Sequence, residues 1–255
     1  MINGEWEDEP PQAYPADGRR IGTAGWAVPR AVADAFPAAG TGLQRYAARF
    51  AAAEINSTFY KPHRAATFAR WAETTPPDFA FALKLPKAVS HERRLEDCEA
   101  ALDGFFASAA PLGGKFRAVL VQLPPSLVFQ PTVAGRFFDA VRARWSGQLA
   151  CEPRHPSWFG AEADALLLAG QVARVAADPV RAPGGQDPGG WRGFTYRRLH
   201  GAPRVYWSSY DEGWLTTLAQ AVRADPPGSW CVFDNTASGA AAANALALLG
   251  LLKGR

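Results

Sequence analysis

Residues 79–86 read FAFALKLP, and alternate positions in this run differ in size. Successive side chains of a strand point to opposite faces. Phe79, Phe81, Leu83 and Leu85 form a bulky set. Ala80, Ala82 and Lys84 form a small set that ends in a cation. In a barrel one face meets surrounding helices and the other fills the interior. The bulky set therefore faces helices and the small set points inward, with Lys84 last.

Working outward, seven further runs share this character: RIGTAG, AAEINSTF, AVLVQLPP, QLACEPR, ARVAADP, FTYRRLHG and WCVFDNT. Helix-period segments separate most of them. RAATFARWAETTP sets Phe68 and Trp71 on one face and stops before Pro76. LEDCEAALDGFFASAA spaces Leu95, Cys98, Leu102 and Phe105 helically. PTVAGRFFDAVRARW starts on a first-turn proline and stacks Val133, Phe137, Val141 and Trp145. SYDEGWLTTLAQAVRA offers a capping box from Ser209 to Glu212, and SGAAAANALALLGLL closes the chain as an Ala-rich helix. Residues 182–193, APGGQDPGGWRG, are a Gly/Pro loop where a sixth helix would stand. Strands alternating with helices make parallel βαβ units. The expectation is an α/β protein: one (β/α)8 TIM-type barrel over residues 20–255, its sixth helix replaced by a loop. A doubly wound open sheet is the alternative, but GTAG lacks the spacing of a dinucleotide-binding turn.

The chain has 255 residues, enough for a sizeable core. Residues 1–19 are acidic and then Pro-rich, with no apolar stretch, and read as a flexible tail and not a signal peptide. No apolar run is long enough to span a bilayer. The three cysteines, Cys98, Cys151 and Cys231, show no CxxC spacing and read as reduced buried thiols of a cytoplasmic protein. A net charge of +3 is compatible with an anionic ligand and too weak to require nucleic acid. The oligomeric state is not encoded in these patterns.

Applied to every strand, alternation yields an inward polar set at the C-terminal strand ends. It comprises Glu54, Asn56, Lys84, Gln122, Glu152, Arg154, Asp178, Arg198 and His200. Asp178 joins it on the assumption that Val175 and Ala177 face the helices. In WCVFDNT, Phe233 argues that Asp234 points inward and Asn235 outward, although a kink would reverse them. The C-terminal end is where barrel enzymes build their sites, and buried charges need partners. One explanation is a plug of ion pairs: Glu54–Lys84, Glu152–Arg198 and Asp178–Arg154. The other is a ligand site at the same mouth.

The elements GTAGW, EINSTFYKPHRAATFARWAETTPPDFAFALKLPKAVSH, VQLPPS, CEPRHPSW, RRLHG and FDNTASGAAAANA together resemble the YecE-like family (domain of unknown function 72). The resemblance runs from about Ile21 to Leu249. It implies a TIM-type barrel and supplies no activity. The family commonly has Phe-Asn-Asn-Thr where this chain has FDNT, so Asp234 replaces an amide.

Several chemistries fit the inward set. Glu54 and Glu152, on the second and fifth strands, are candidates for acid/base or glycosidic work, with His155 and His200 as secondary proton-transfer groups. Lys84, Arg154 and Arg198 would hold anionic oxygens, with Asn56, Gln122, Asp178, Asp234 and Asn235 completing a binding surface. Trp26, Phe59, Tyr60, Trp158 and Trp191 would stack on a sugar or base, or pack the rim. Lys61, Arg64, Lys87, Arg93, Arg94, Arg181 and Arg192 add cations to the top loops. His63, His91, His155 and His200 with the carboxylates could supply a divalent-metal site, but the neighbouring cations repel one and no HxH or HExxH spacing occurs. No cofactor is therefore required. Lys84 could form a Schiff base, although adjacent carboxylates would keep it charged. The expected function is a cofactor-independent hydrolase or lyase acting on a sugar-like or phosphorylated compound. The alternative is a non-catalytic nucleotide- or nucleic-acid-binding protein.

Overall fold

The computed structural model describes residues 18–180 and 182–253. The segment expected as a tail falls mostly outside these, but Arg19 is held, its guanidinium donating to the Arg223 and Asp225 carbonyls.

Strands β1 (Arg20–Ala24), β2 (Ala52–Ile55), β3 (Ala80–Lys84), β4 (Phe116–Gln122) and β5 (Gln148–Glu152) pair in sequence order, all parallel. β5 continues to β6 (Val172–Arg174), and β1 pairs on its other side with β10 (Trp230–Phe233). β10 pairs with β9 (Tyr196–Leu199), and β9 with β7 (Ala176–Asp178). A two-residue strand, β8 (Gly189–Gly190), runs antiparallel to β6. The ten-stranded order is β7-β9-β10-β1-β2-β3-β4-β5-β6-β8. Only Val175 separates β6 from β7, so the sheet curls until it is nearly closed.

Helices α1 (Gly42–Ala47), α2 (Ala65–Glu73), α3 (Glu99–Ala109), α4 (Pro131–Arg142), α5 (Ala161–Ala169), α6 (Glu212–Ala224) and α7 (Ala240–Lys253) cover the outer face. Each buries an apolar stripe: Phe68 from α2, Leu102 and Phe105 from α3, Phe137 and Val141 from α4, Leu215, Leu218 and Val222 from α6. Two local expectations change. Cys98 precedes α3 instead of lying within it. The cap of α6 is Asp211, whose carboxylate accepts from the Trp214 N–H, while Ser209 bonds Asn244 of α7. A carboxylate at that position also favours the helix dipole.

The two faces of the strands separate cleanly. Phe79, Phe81, Leu83, Val119, Val121, Leu149, Cys151, Leu199 and Phe233 belong to the helix-side core. The interior holds Ala52, Ala80, Ala82, Ala118 and Ala150 on one side and Phe194, Tyr196 and Trp230 on the other. The Tyr196 and Trp230 rings stack 5.8 Å apart. Alanines leave the space that these large rings from β9, β10 and the approach to β9 fill, so the interior is packed without Val, Ile or Leu dominating.

Alternation is out of phase on one segment. Ala173 and Val175 lie in the interior and Ala177 packs against it. Asp178 therefore faces the helices, where its carboxylate accepts from Tyr210 Oη at 2.7 Å. Arg174, also outward, binds Asp164 of α5 at 3.0 Å. The expectation that Val175 faces outward fails because the interior has room for a branched side chain beside the small Ala173.

Candidate functional site

Above the aromatic layer, at the C-terminal ends of the strands, Arg198 forms the centre of a buried ion-pair layer. It is fully buried. Its Nε and one terminal nitrogen donate to Glu54 at 3.0 and 2.6 Å. The other terminal nitrogen donates to Glu152 Oε2 at 2.5 Å, and Asp234 accepts at 3.0 Å. One guanidinium from β9 thus ties β2, β5 and the end of β10 together. Glu54 is completed by the Tyr196 hydroxyl, which donates at 2.8 Å from the layer below. Glu152 Oε1 accepts from Gln122 at 3.0 Å and from two Arg154 nitrogens at 3.1 Å. His200 bridges Glu152 at 3.2 Å and Asp234 at 3.0 Å.

The charges are mutually stabilising. Burial works to raise the Glu152 carboxyl, but Arg198 and His200 outweigh it and hold it well below the usual range. Asp234 is likewise lowered: burial opposes its ionisation and Arg198 overcomes this. Burial disfavours the His200 imidazolium, yet Glu152 and Asp234 leave it raised. In these directions Arg198 and His200 favour the ionised forms of Glu152 and Asp234, and those carboxylates in turn favour the charged forms of Arg198 and His200.

Lys84 differs from the rest. The residue is 4% exposed, and its ammonium lies 4.0 Å from the centre of the Phe59 ring. Among the described residues, none forms a hydrogen bond or close ion pair with it. Burial, and then Arg198, bring its pKa from 10.5 down to about 8, against the raising effect of Glu152, Glu54 and Asp234. The expected Glu54–Lys84 pair is absent because Arg198 occupies Glu54. Arg154, expected to pair with Asp178, binds Glu152 instead and reaches Tyr206 Oη at 3.1 Å. His91 packs edge-on against Phe59 at 4.9 Å. Its pKa is lowered by burial and then by Lys84 and Arg154. Lys84 and Arg154 are therefore the cations on top of the ion-pair layer, and together with burial they favour the neutral form of the His91 imidazole beside them.

The remaining expected residues divide. Asn56 precedes the turn Ser57–Phe59, and its Oδ1 is buried without a hydrogen-bond partner among the described residues. Tyr60 is 76% exposed on the rim. Asp234 points inward, and Asn235 points outward, donating to Ser208 O and Asn244 Oδ1. His155 turns back on its own loop, its Nδ1 bonded to Ser157. Trp158 is buried in the helix-side core with its Nε1 on the Leu127 carbonyl, so it neither roofs the mouth nor stacks on a ligand there. Trp26 likewise packs on Trp71 and Phe81.

Trp191 is carried away from the mouth because β8 reverses direction. Its N–H bonds Val172 O, at the start of β6, and it packs on interior Phe194. Arg192, next in the chain, leaves the cationic rim with it, and Arg181 lies outside the described residues. His63 packs on Phe68 and Trp71, apart from the network. The three thiols are buried, with Cys98 pushed up to about 11 and Cys231 to about 12 by burial, which disfavours thiolate chemistry. No cluster of three or more metal-ligating side chains occurs among the described residues, and none of their helices is long and apolar enough to cross a membrane.

Two residues of this site escaped the sequence reading. Tyr196 shares the inward parity of Arg198 and could have been found by alternation. Tyr206 lies beyond the strand in a loop, and no periodic signal marks it.

Comparison with known proteins agrees with this architecture. The family model "Protein of unknown function DUF72" matches residues 20–255. The chain is 30% identical over 120 residues to the UPF0759 protein YecE of Escherichia coli K12, covering 47% of this chain and 43% of that protein. It is 27% identical over 156 residues to the UPF0759 protein YunF of Bacillus subtilis 168, covering 54% and 51%. These matches span about half the length of each curated relative. The crystal structure of a DUF72 family protein from Enterococcus faecalis V583 superposes with a TM-score of 0.77 at 20% identity, covering 92% of this chain and 95% of that one. One from Thermotoga maritima MSB8 gives 0.76 at 25% identity, covering 92% and 99%. The chain belongs to the DUF72 family.

Proposed function

We propose that the mouth of the barrel binds a small anion, a carboxylate or phosphate group of a sugar-like or phosphorylated compound, between Lys84 and Arg154. The observation that carries this reading is Lys84, a buried residue whose ammonium makes no hydrogen bond or close ion pair among the described residues, above a layer whose carboxylates are already occupied. A buried cation without a partner destabilises the fold, and an incoming anion would supply the missing partner. Arg154 keeps part of its guanidinium exposed and offers a second donor. Glu54 and Glu152 act in this reading as the floor that fixes Arg198 and Arg154. A general acid must hold a proton at working pH, and Glu152 is held well below that range. We also read β6 and β7 as halves of one strand, which makes eight parallel strands and a (β/α)8 barrel with residues 182–193 in place of a helix.

Titration with inorganic phosphate by calorimetry tests the site. Saturable binding that Lys84→Met and Arg154→Ala each weaken by about tenfold or more supports it, at the ~1.4 kcal/mol per decade of affinity. Unchanged affinity in both variants would reject it. A polyanion reading draws on exposed Tyr60 and Trp207, which follow β2 and β9 on the same rim. Single-stranded nucleic acid bound there would show a steep salt dependence that a single phosphate group would not.

A further inference from the structure

We propose that Lys84 is an amine nucleophile, which condenses with the carbonyl of an anionic aldehyde or ketone whose charged group is held by Arg154. This inference rests on the anion-binding reading above and adds the chemical class of the ligand.

The geometry separates Lys84 from an ordinary structural lysine. Its Nζ sits over the face of Phe59 and makes no hydrogen bond or close ion pair among the described residues, so no bond has to break before its lone pair is used. The carboxylates that would keep it charged are occupied elsewhere: Glu54 by Arg198 and Tyr196, Glu152 by Arg198, Arg154, Gln122 and His200, Asp234 by Arg198 and His200. Burial, and then the Arg198 guanidinium, push in the opposite direction. With a pKa of about 8 instead of 10.5, the amine at pH 7.5 is neutral about 200 times more often than an ordinary lysine. The unpartnered Asn56 oxygen belongs to the same wall: Ile55 pairs with Leu83, so Asn56 stands one step beyond, level with Lys84.

The step balances without a cofactor. The Lys84 nitrogen lone pair attacks the carbonyl carbon and the C=O π electrons move to oxygen. Both amine hydrogens then leave with that oxygen as water, and a C=N bond replaces C=O. The neutral imine formed this way takes up a proton from solvent, and the resulting iminium withdraws electrons from the adjacent carbon, which is the chemistry a lyase uses.

The test is reductive trapping on the full chain. Protein is incubated with glyoxylate or glycolaldehyde phosphate and sodium cyanoborohydride at pH 7.5, and the adduct is located by peptide mass spectrometry. Acetaldehyde is the uncharged control. The expected result is labelling at Lys84 at least about tenfold faster than at exposed Lys61 and Lys87, competed by inorganic phosphate and slowed in Arg154→Ala. Lys84→Arg, which keeps a cation but has no nucleophilic amine, should lose the fast adduct. Labelling of Lys84 no faster than of Lys87 in protein that does bind phosphate overturns this inference and leaves the anion site standing. Neither phosphate binding nor labelling overturns both. Acetaldehyde labelling Lys84 as fast as glyoxylate overturns the role given to Arg154.

Discussion

Replacing Lys84 by Met should make the protein more stable at pH 7 while removing its anion affinity. The residue is buried, its ammonium has no hydrogen-bonded partner among the described residues, and its pKa falls from 10.5 to about 8. At roughly 1.4 kcal/mol per unit, that shift corresponds to about 3 kcal/mol of destabilisation by the charged form. Met is of similar length and keeps an apolar contact with Phe59, but the cation–π attraction, about 0.5–2 kcal/mol, is lost. The net expectation is a gain of about 1–3 kcal/mol. The pH dependence has a definite sign. A lysine whose folded pKa is lowered penalises the fold fully below about 8, and the penalty is relieved as pH rises to 10.5. Wild type should therefore catch up with the variant over that window. Urea unfolding at a series of pH values from 7 to 10 measures both effects. A variant less stable than wild type at pH 7, or a stability difference that stays flat up to pH 10, would refute the reasoning, because Lys84 would then have a partner worth more than its desolvation.

The other predictions concern the layer beneath. Arg198→Met leaves Glu54, Glu152 and Asp234 facing one another in the interior and should destabilise by about 3–5 kcal/mol or more at pH 7. The loss should shrink at pH 5 in denaturant unfolding, as the uncompensated carboxylates take up protons. In wild type the sign is opposite: Glu152 and Asp234 have lowered folded pKa values, so their contribution is complete above the unfolded range and disappears as acid protonates them. Asp234→Asn keeps an oxygen that can accept from Arg198 and His200 but removes the buried charge that faces them, so stability at pH 7 should fall by about 1–3 kcal/mol. The His200 pKa, followed by NMR titration, should fall because one of the two carboxylates holding it up is gone. Trp158→Phe removes the bond to the Leu127 carbonyl and should lower stability by about 1–3 kcal/mol, with phosphate affinity unchanged in calorimetry.

The sequence by itself determined the parallel strands around the barrel, though not the two-residue β8 or the break at Val175, and for most of them which face each residue takes. FAFALKLP and QLACEPR each pair one bulky face with one small or charged face, and alternation is a local property of the backbone that needs no knowledge of the partner strand. The same reading located Glu54, Lys84, Gln122, Glu152, Arg198 and His200 at one end of the barrel. It fails on ARVAADP, where the apolar face of Ala173, Val175 and Ala177 is the interior one and the charged face of Arg174 and Asp178 meets the helices, so Asp178 binds Tyr210 instead of pointing inward. It also failed wherever the chain leaves the strand. Trp158 and Trp191 stand in loops whose direction depends on long-range packing, and neither periodicity nor composition reveals that β8 turns back toward the start of β6. The tertiary structure alone decided the pairing of charges. The sequence places four carboxylates, Glu54, Glu152, Asp178 and Asp234, and three cations at one mouth, but Asp178 turns away to Tyr210, and which cation meets the other three acids depends on where the strands stand around the barrel and how far each side chain reaches. Arg198, with its planar, forked guanidinium, occupies all three acids at once. That assignment is what leaves the Lys84 amine over Phe59 without a close ion pair among the described residues.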